Sequence, residues 1–205
     1  MEVDIRFKTF WQRVGANIID GLIVGAASFA ILVPVIVVVA LNSVEREGRT
    51  TKVNLSEGEI ALVVASISVI SLASYAYTIG MLAVRGQTLG KMATGIIVLD
   101  AATGGRIGFR QAFLRSLGEM VIQAGSVLLA LIGAFGDLQH DLLNVLNVMQ
   151  SFSSYGWWLA EVLTMLTNPR RRALHDFIAG TVVVKQRYVQ AIPAAPFAAP
   201  PADPV

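Results

Sequence analysis

Two stretches of this chain, Gly21 to Leu41 and Ile60 to Val84, run for 21 and 25 residues without one Asp, Glu, Lys, Arg or His. At 1.5 Å per residue each is long enough to cross a hydrocarbon core of about 30 Å, and water offers such a segment no stable place as a surface helix. Composition agrees: 55% of the 205 residues are hydrophobic and 15% charged, outside the usual soluble range. A third run, Leu117 to Gly136, is interrupted only by Glu119. A fourth, Val148 to Thr167, carries Gln150, several serines and Glu161, and is read either as a span or as a re-entrant segment. Trp157 and Trp158, residues typical of a membrane interface, stand in the middle of that fourth segment.

The basic residues set an orientation. Arg6, Lys8 and Arg13 precede the first run; Arg46, Arg49 and Lys52 follow it; Arg85, Lys91, Arg106, Arg110 and Arg115 lie between the second and third. None falls in Gly136 to Asn147, and five follow the fourth segment. This alternation predicts an all-α transmembrane bundle of about four spans (18–41, 60–84, 117–136, 148–167) with both termini cytoplasmic, because positive flanks stay inside. Residues 1–188 form one membrane domain in this reading, and 189–205, rich in Pro and Ala, form a disordered tail. A cleaved leader is the competing account of the N-terminus, but the apolar run outlasts a leader's core and Asp20 sits within it.

With no cysteine, disulfides, thiolate metal sites and cysteine nucleophiles are excluded. The pI of about 9.2 reflects the basic cytoplasmic flanks and points to anionic lipid at that face more than to nucleic acid. The polar stretch Asn42 to Glu59 reads as a short extracytoplasmic loop. On the other side, "TGIIVLDAATGGRIGF" (Thr94 to Phe109) has a β-branched run, a Thr-Gly-Gly turn and a second run, the pattern of a hairpin, and "GTVVVK" (Gly180 to Lys185) is a third β-like piece. These make either a small cytoplasmic sheet or three solvated loops.

Arg13 and Asp20 are seven residues apart on one helix face, about 10 Å along the axis. Arg13 can snorkel to the headgroups without a partner. Asp20 lies deeper, where an unpaired carboxylate costs about 2.5–3.5 kcal/mol, so it is either an ion- or proton-binding group or half of a helix-pairing ion pair. Glu119 and Glu161 sit at comparable depth. Arg115, at i−4, is the expected partner of Glu119, and Glu161 has no such neighbour. His175 and Asp176 follow the Arg170 to Arg172 cluster; they either couple to a proton pathway or cap a turn. No serine accompanies them in a hydrolase pattern, so no enzyme is predicted. "GQTLGKMATG" (Gly86 to Gly95) fails the phosphate-loop spacing, with three residues between Gly86 and Gly90 and Met92 after Lys91, which leaves Gly86 and Gly90 to close backbone packing. No cofactor or metal is assigned.

Four ordered motifs, "RVGANIID", "GQTLGKMATGIIVLD", "FRQAFLRSLG" and "RRRALHDFIAGTVVV", together closely resemble the RDD family of bacterial membrane proteins over roughly Phe10 to Val184. The family is named for an arginine and two aspartates. By resemblance these are Arg13, Asp20 and, as the candidate for the second aspartate, Asp176, with Gly86, Thr88, Gly90, Lys91, Gly95 and Arg115 as further motif residues. The polar segment from Asp137 to Ser154 departs from the family's compact plan. The resemblance implies a multi-pass protein of the bacterial inner membrane, for which transport, in some members cation/proton exchange, has been suggested. The expected function is movement of a small solute or cation through the bilayer by a homo-oligomer, or in company with another membrane protein. The competing reading is an accessory or assembly protein without transport of its own.

Overall fold

The computed structural model describes residues 5–47, 50–53, 56–136 and 139–191. A 3-10 turn (Ile5–Phe7) leads into α1 (Phe10–Ser43), followed by β1 (Val44–Glu47), β2 (Thr50–Val53), α2 (Glu57–Arg85), α3 (Leu89–Ala93) and β3 (Ile96–Asp100). Then come α4 (Phe109–Phe135), α5 (His140–Thr167), α6 (Leu174–Ile178), β4 (Thr181–Lys185) and a second 3-10 turn (Gln186–Ala191).

Among the described residues, three helices are long and apolar enough to cross a membrane: α1, α2 and α4. The fourth expected span differs. α5 is one continuous helix of 28 residues, without the break a re-entrant segment needs, yet its serines, asparagines and Gln150 keep it below that level of apolarity. The polar segment before it, 140–154, is helical and part of α5. α1 passes through Pro34, which has no N–H to give to Ala30, so the helix runs on with one backbone bond missing. α2 starts at a capping box: the Ser56 N–H donates to Glu59 Oε2 at 2.8 Å and the Glu59 N–H donates to Ser56 Oγ at 3.3 Å.

The chain divides into two compact units. One holds the described residues of 22–75 and 119–154. Here the expected loop after α1 is partly a hairpin, β1 antiparallel to β2 with Val44 opposite Val53. In the same unit α4 and α5 are joined by Gln150, whose Nε2 donates to the Ile122 carbonyl at 2.6 Å and to Ser126 Oγ at 3.1 Å. The hydroxyls of Ser28, Ser66, Ser68, Ser71 and Ser74 each donate to the carbonyl four residues back, so no helix serine among these needs water. Phe29, Leu41 and Leu72 are exposed in the isolated chain, a surface that suits acyl chains.

The other unit holds the described residues of 1–21, 76–118 and 155–205. Its centre is a two-stranded antiparallel sheet, β3 on β4, with Ile96 opposite Lys185 and Asp100 opposite Thr181. Ile96, Val98, Val182, Val183 and Val184 are almost wholly buried, and Phe7 and Leu99 close one side of the sheet. Full burial of such a side chain is worth about 1.5–3 kcal/mol, so this short sheet is a real core.

The expected hairpin is corrected here. Its second run makes a single bridge, Leu99 to Arg106, and the strand that pairs with β3 is β4. The physical reason lies at Asp100, which folds the turn onto itself: Oδ1 accepts the N–H groups of Ala102 and Thr103, and Gln111 Nε2 donates to Oδ2 at 2.5 Å. These bonds hold its carboxyl below the ordinary range in spite of desolvation, which acts the other way. Gly108 and the start of α4 then end the run before it can compete with four consecutive buried residues of β4. The tail boundary also shifts, because the second 3-10 turn continues through Ala191; the rest of the expected Pro/Ala-rich tail, 192–205, lies outside the described residues.

Candidate functional site: two aspartates in different company

Asp176 is fully buried on α6. Ala173 is the N-cap of the short helix and its N–H donates to Asp176 Oδ2 at 3.0 Å, so the carboxylate first caps its own helix. The same Oδ2 receives Arg13 Nη1 at 2.7 Å. Oδ1 accepts from Arg115 Nη1 and from Thr181 Oγ1, the latter at 3.1 Å. Three helices and a strand thereby meet on one side chain. Burial alone would raise the Asp176 pKa; the guanidinium groups of Arg115 and then Arg13 hold it well below the ordinary carboxylate range.

Each arginine is itself fully engaged. Arg13 was assigned to the headgroups on the spacing argument; instead it is buried, with Nε on Thr9 Oγ1 at 3.3 Å and Nη2 on the Arg171 carbonyl at 3.0 Å. Arg171 presents that carbonyl from a left-handed backbone, φ 50°, uncommon outside glycine. Arg115, which i+4 spacing assigns to Glu119, gives Nη1 to Thr181 Oγ1 at 2.6 Å and Nη2 to His175 Nε2 at 2.9 Å besides its bond to Asp176. Arg172 was not singled out in the sequence, yet it donates to the carbonyls of Thr181 and Asp176 and lies 4.3 Å from the Phe177 ring centroid.

Glu161, for which the sequence offers no neighbour, has one 14 residues on: its Oε1 lies 2.5 Å from His175 Nδ1. Arginine only donates, so His175 Nε2 must accept from Arg115, and the ring proton in this arrangement sits on Nδ1, facing Glu161. The capping reading of the His-Asp pair is met at Asp176, which is ion-paired as well. Glu119 is exposed on α4, in the other unit.

Asp20 is a separate site, half-buried on α1. Its donors are uncharged: Thr88 Oγ1 at 2.5 Å to Oδ2, Tyr77 OH at 3.0 Å and the Gly90 N–H at 2.8 Å to Oδ1. The expected cation is absent from this set. Thr88 also caps α3, and Tyr77 in turn accepts the Leu89 N–H at 3.0 Å. Gly90 is there of necessity, since a Cβ at that position would run into the Ala16 carbonyl and the Asp20 carboxylate. Gly86, at φ 71°, turns the chain from α2 toward β3, where its carbonyl accepts the Val98 N–H at 2.9 Å; Gly95, at φ 67°, turns it again. The close-packing role read for Gly86 and Gly90 is what these contacts describe.

Lys91 stands electrostatically between the two aspartates. Its Nζ reaches Thr88 Oγ1 at 3.4 Å. Burial, and next Arg115, push its ammonium down to about 8, with Arg13 adding to the effect and Asp20 and Asp176 opposing it.

Helices this apolar, ending in a unit where buried charges are paired with one another, define an integral membrane protein. The chain belongs to the RDD family, whose family model matches residues 7–180. No curated protein and no solved structure matches the chain.

Proposed function

We propose that this protein helps move a small solute or cation across a bacterial inner membrane, with Asp20 as the coupling or binding carboxylate. The observation that supports this is the contrast between the two aspartates. Asp176 is held by two guanidinium groups, a serviceable lock and a poor exchange site. Asp20 is held by two hydroxyls and one amide, neutral donors that a cation or proton can displace without leaving a buried charge unpaired. In this reading the unit built on β3 and β4 lies on the cytoplasmic side, α5 is the fourth span and no catalytic step is involved. Gly21 and Gly25 leave open faces on α1, suited to assembly with a second copy.

The competing reading, an accessory protein, is favoured by the same Asp20 bonds taken as a helix-pairing clasp between α1, α2 and α3. Thermal unfolding of the purified protein against Na⁺, K⁺ and Li⁺ separates them. A midpoint that rises with ion concentration in the wild type and not in Asp20→Asn supports exchange. A flat response together with a stoichiometric co-purifying membrane protein supports the accessory role.

A further inference from the structure

A pocket of about 550 Å³, lined by neither aspartate, opens between the start of α1, the turn from α3 to β3, and the end of β4. Gln12, Thr94, Gly95, Lys185, Gln186 and Arg187 line it. We propose that it binds a phosphate ester, the group a glycerophospholipid carries in its headgroup.

The chemistry of the lining argues for an anion. Among the described residues that line it, two are cations and none is a carboxylate. Gln186 is oriented as a donor: its Oε1 is already taken by Gln87 Nε2 at 3.0 Å, and Gln87 is anchored on the Ile96 carbonyl at 2.8 Å. With Oε1 so engaged, Gln186 keeps both N–H donors of its own NH₂ to offer. The floor is set by the Gly95 carbonyl accepting the Gln186 N–H at 2.9 Å, with Gly95 at φ 67°. Thr94 is fixed by Oγ1 donating to the Gly90 carbonyl at 3.0 Å, and Arg187 by its guanidinium 4.8 Å from the Tyr188 ring centroid. The volume falls in the range that holds a small ligand or a headgroup.

Position argues for a lipid as the source. Trp11, next to Gln12 on α1, is 77% exposed and meets Phe10 edge to face at 5.1 Å. An exposed tryptophan at the polar end of a spanning helix sits at headgroup depth, which places the pocket there too. Anionic lipid would add charge attraction to Lys185 and Arg187, whereas a zwitterionic headgroup brings its own competing cation.

The test is native mass spectrometry of the full chain released from detergent after incubation with phosphatidylglycerol, phosphatidylcholine or free glycerol phosphate. Wild type is compared with Arg187→Gln, a change at an exposed side chain, and with Lys185→Gln/Arg187→Gln, each checked for an unchanged unfolding midpoint. Retention of one phosphatidylglycerol, weakened at least tenfold in the double variant and partly in the single one, supports the lipid source. Equal, variant-sensitive binding of glycerol phosphate alone supports a free phosphate ester. Retention that is the same in wild type and the folded single variant, or no binding of any of the three probes, overturns the proposal.

Discussion

Arg13 and Asp176 are 163 residues apart in the chain and 2.7 Å apart in the structure. That contact ties the first helix to the segment after α5, and Arg115 completes it from α4. A carboxylate buried between two guanidinium groups favours stability only while all three are present.

Asp176→Ala therefore leaves two buried arginines facing each other, and removing one partner from such a network typically costs about 3–5 kcal/mol. A large fall in the unfolding midpoint in detergent is expected. Asp176→Asn keeps the cap to Ala173 and loses the charge, so its loss should be smaller. Equal midpoints for wild type and Asp176→Ala would show that the network contributes nothing.

Acid should act through the same carboxylate. The Asp176 pKa is depressed in the folded state, so its contribution is complete above the unfolded value, 3.8, and is lost as pH falls below that toward the lower folded pKa. Unfolding followed from pH 5 downward should show a loss of stability that is diminished in Asp176→Asn.

Lys91 predicts the opposite limb. Its pKa falls from 10.5 unfolded to about 8 folded, so the unfolded chain binds more protons between those values and stability rises with pH across that window. Lys91→Met should flatten the rise and stabilise the protein near neutrality. A rise of the same size in the variant would assign it to another group.

The approach of α1 to α3 makes Gly90 sensitive to a single methyl. Gly90→Ala must displace the Ala16 carbonyl or Asp20, an overpacking of about 1–3 kcal/mol, read as lower thermal stability. Gly80→Ala is the control: a Cβ there meets nothing within 4 Å, and alanine favours the helix, so stability should hold or rise.

The bonds to Asp20 can be removed one at a time. Tyr77→Phe deletes one donor to a charged acceptor, worth about 1.5–3 kcal/mol, with almost no change of shape. Thermal unfolding should show that loss, with that of the Leu89 N–H partner, in the wild-type background, and a smaller one in Asp20→Ala, where the Tyr77–Asp20 contact is already gone.

How much of this was legible in the sequence follows from the range of each interaction. α1, α2 and α4 announce themselves because uncharged runs such as Gly21 to Leu41 have only one comfortable environment. α5 was harder, because Gln150 and its serines lower its hydropathy while satisfying themselves inside the helix or against α4. "TGIIVLD" was recognisable as a strand, but its partner, β4, is 85 residues away by the Val98–Val183 pair, and nothing local distinguishes it from the nearer Arg106. The charges show the same limit: Arg13, Asp20 and Asp176 stood out by type, yet spacing alone brings neither Arg13 nor Arg115 to Asp176. Tyr77 was passed over; a phenol about two turns before the end of α2 was the available signal, since a buried hydroxyl needs a partner.

In the proposed function Asp176 locks the protein while Asp20 works. Proton flux in proteoliposomes, driven by Na⁺, K⁺ or Li⁺ gradients, tests it most directly, comparing wild type, Asp20→Asn and Tyr77→Phe at matched reconstitution. Flux is expected in the wild type, with its loss in folded Asp20→Asn and an altered ion dependence in Tyr77→Phe. Flux that survives intact in Asp20→Asn, or no flux from well-formed wild-type vesicles, would contradict it.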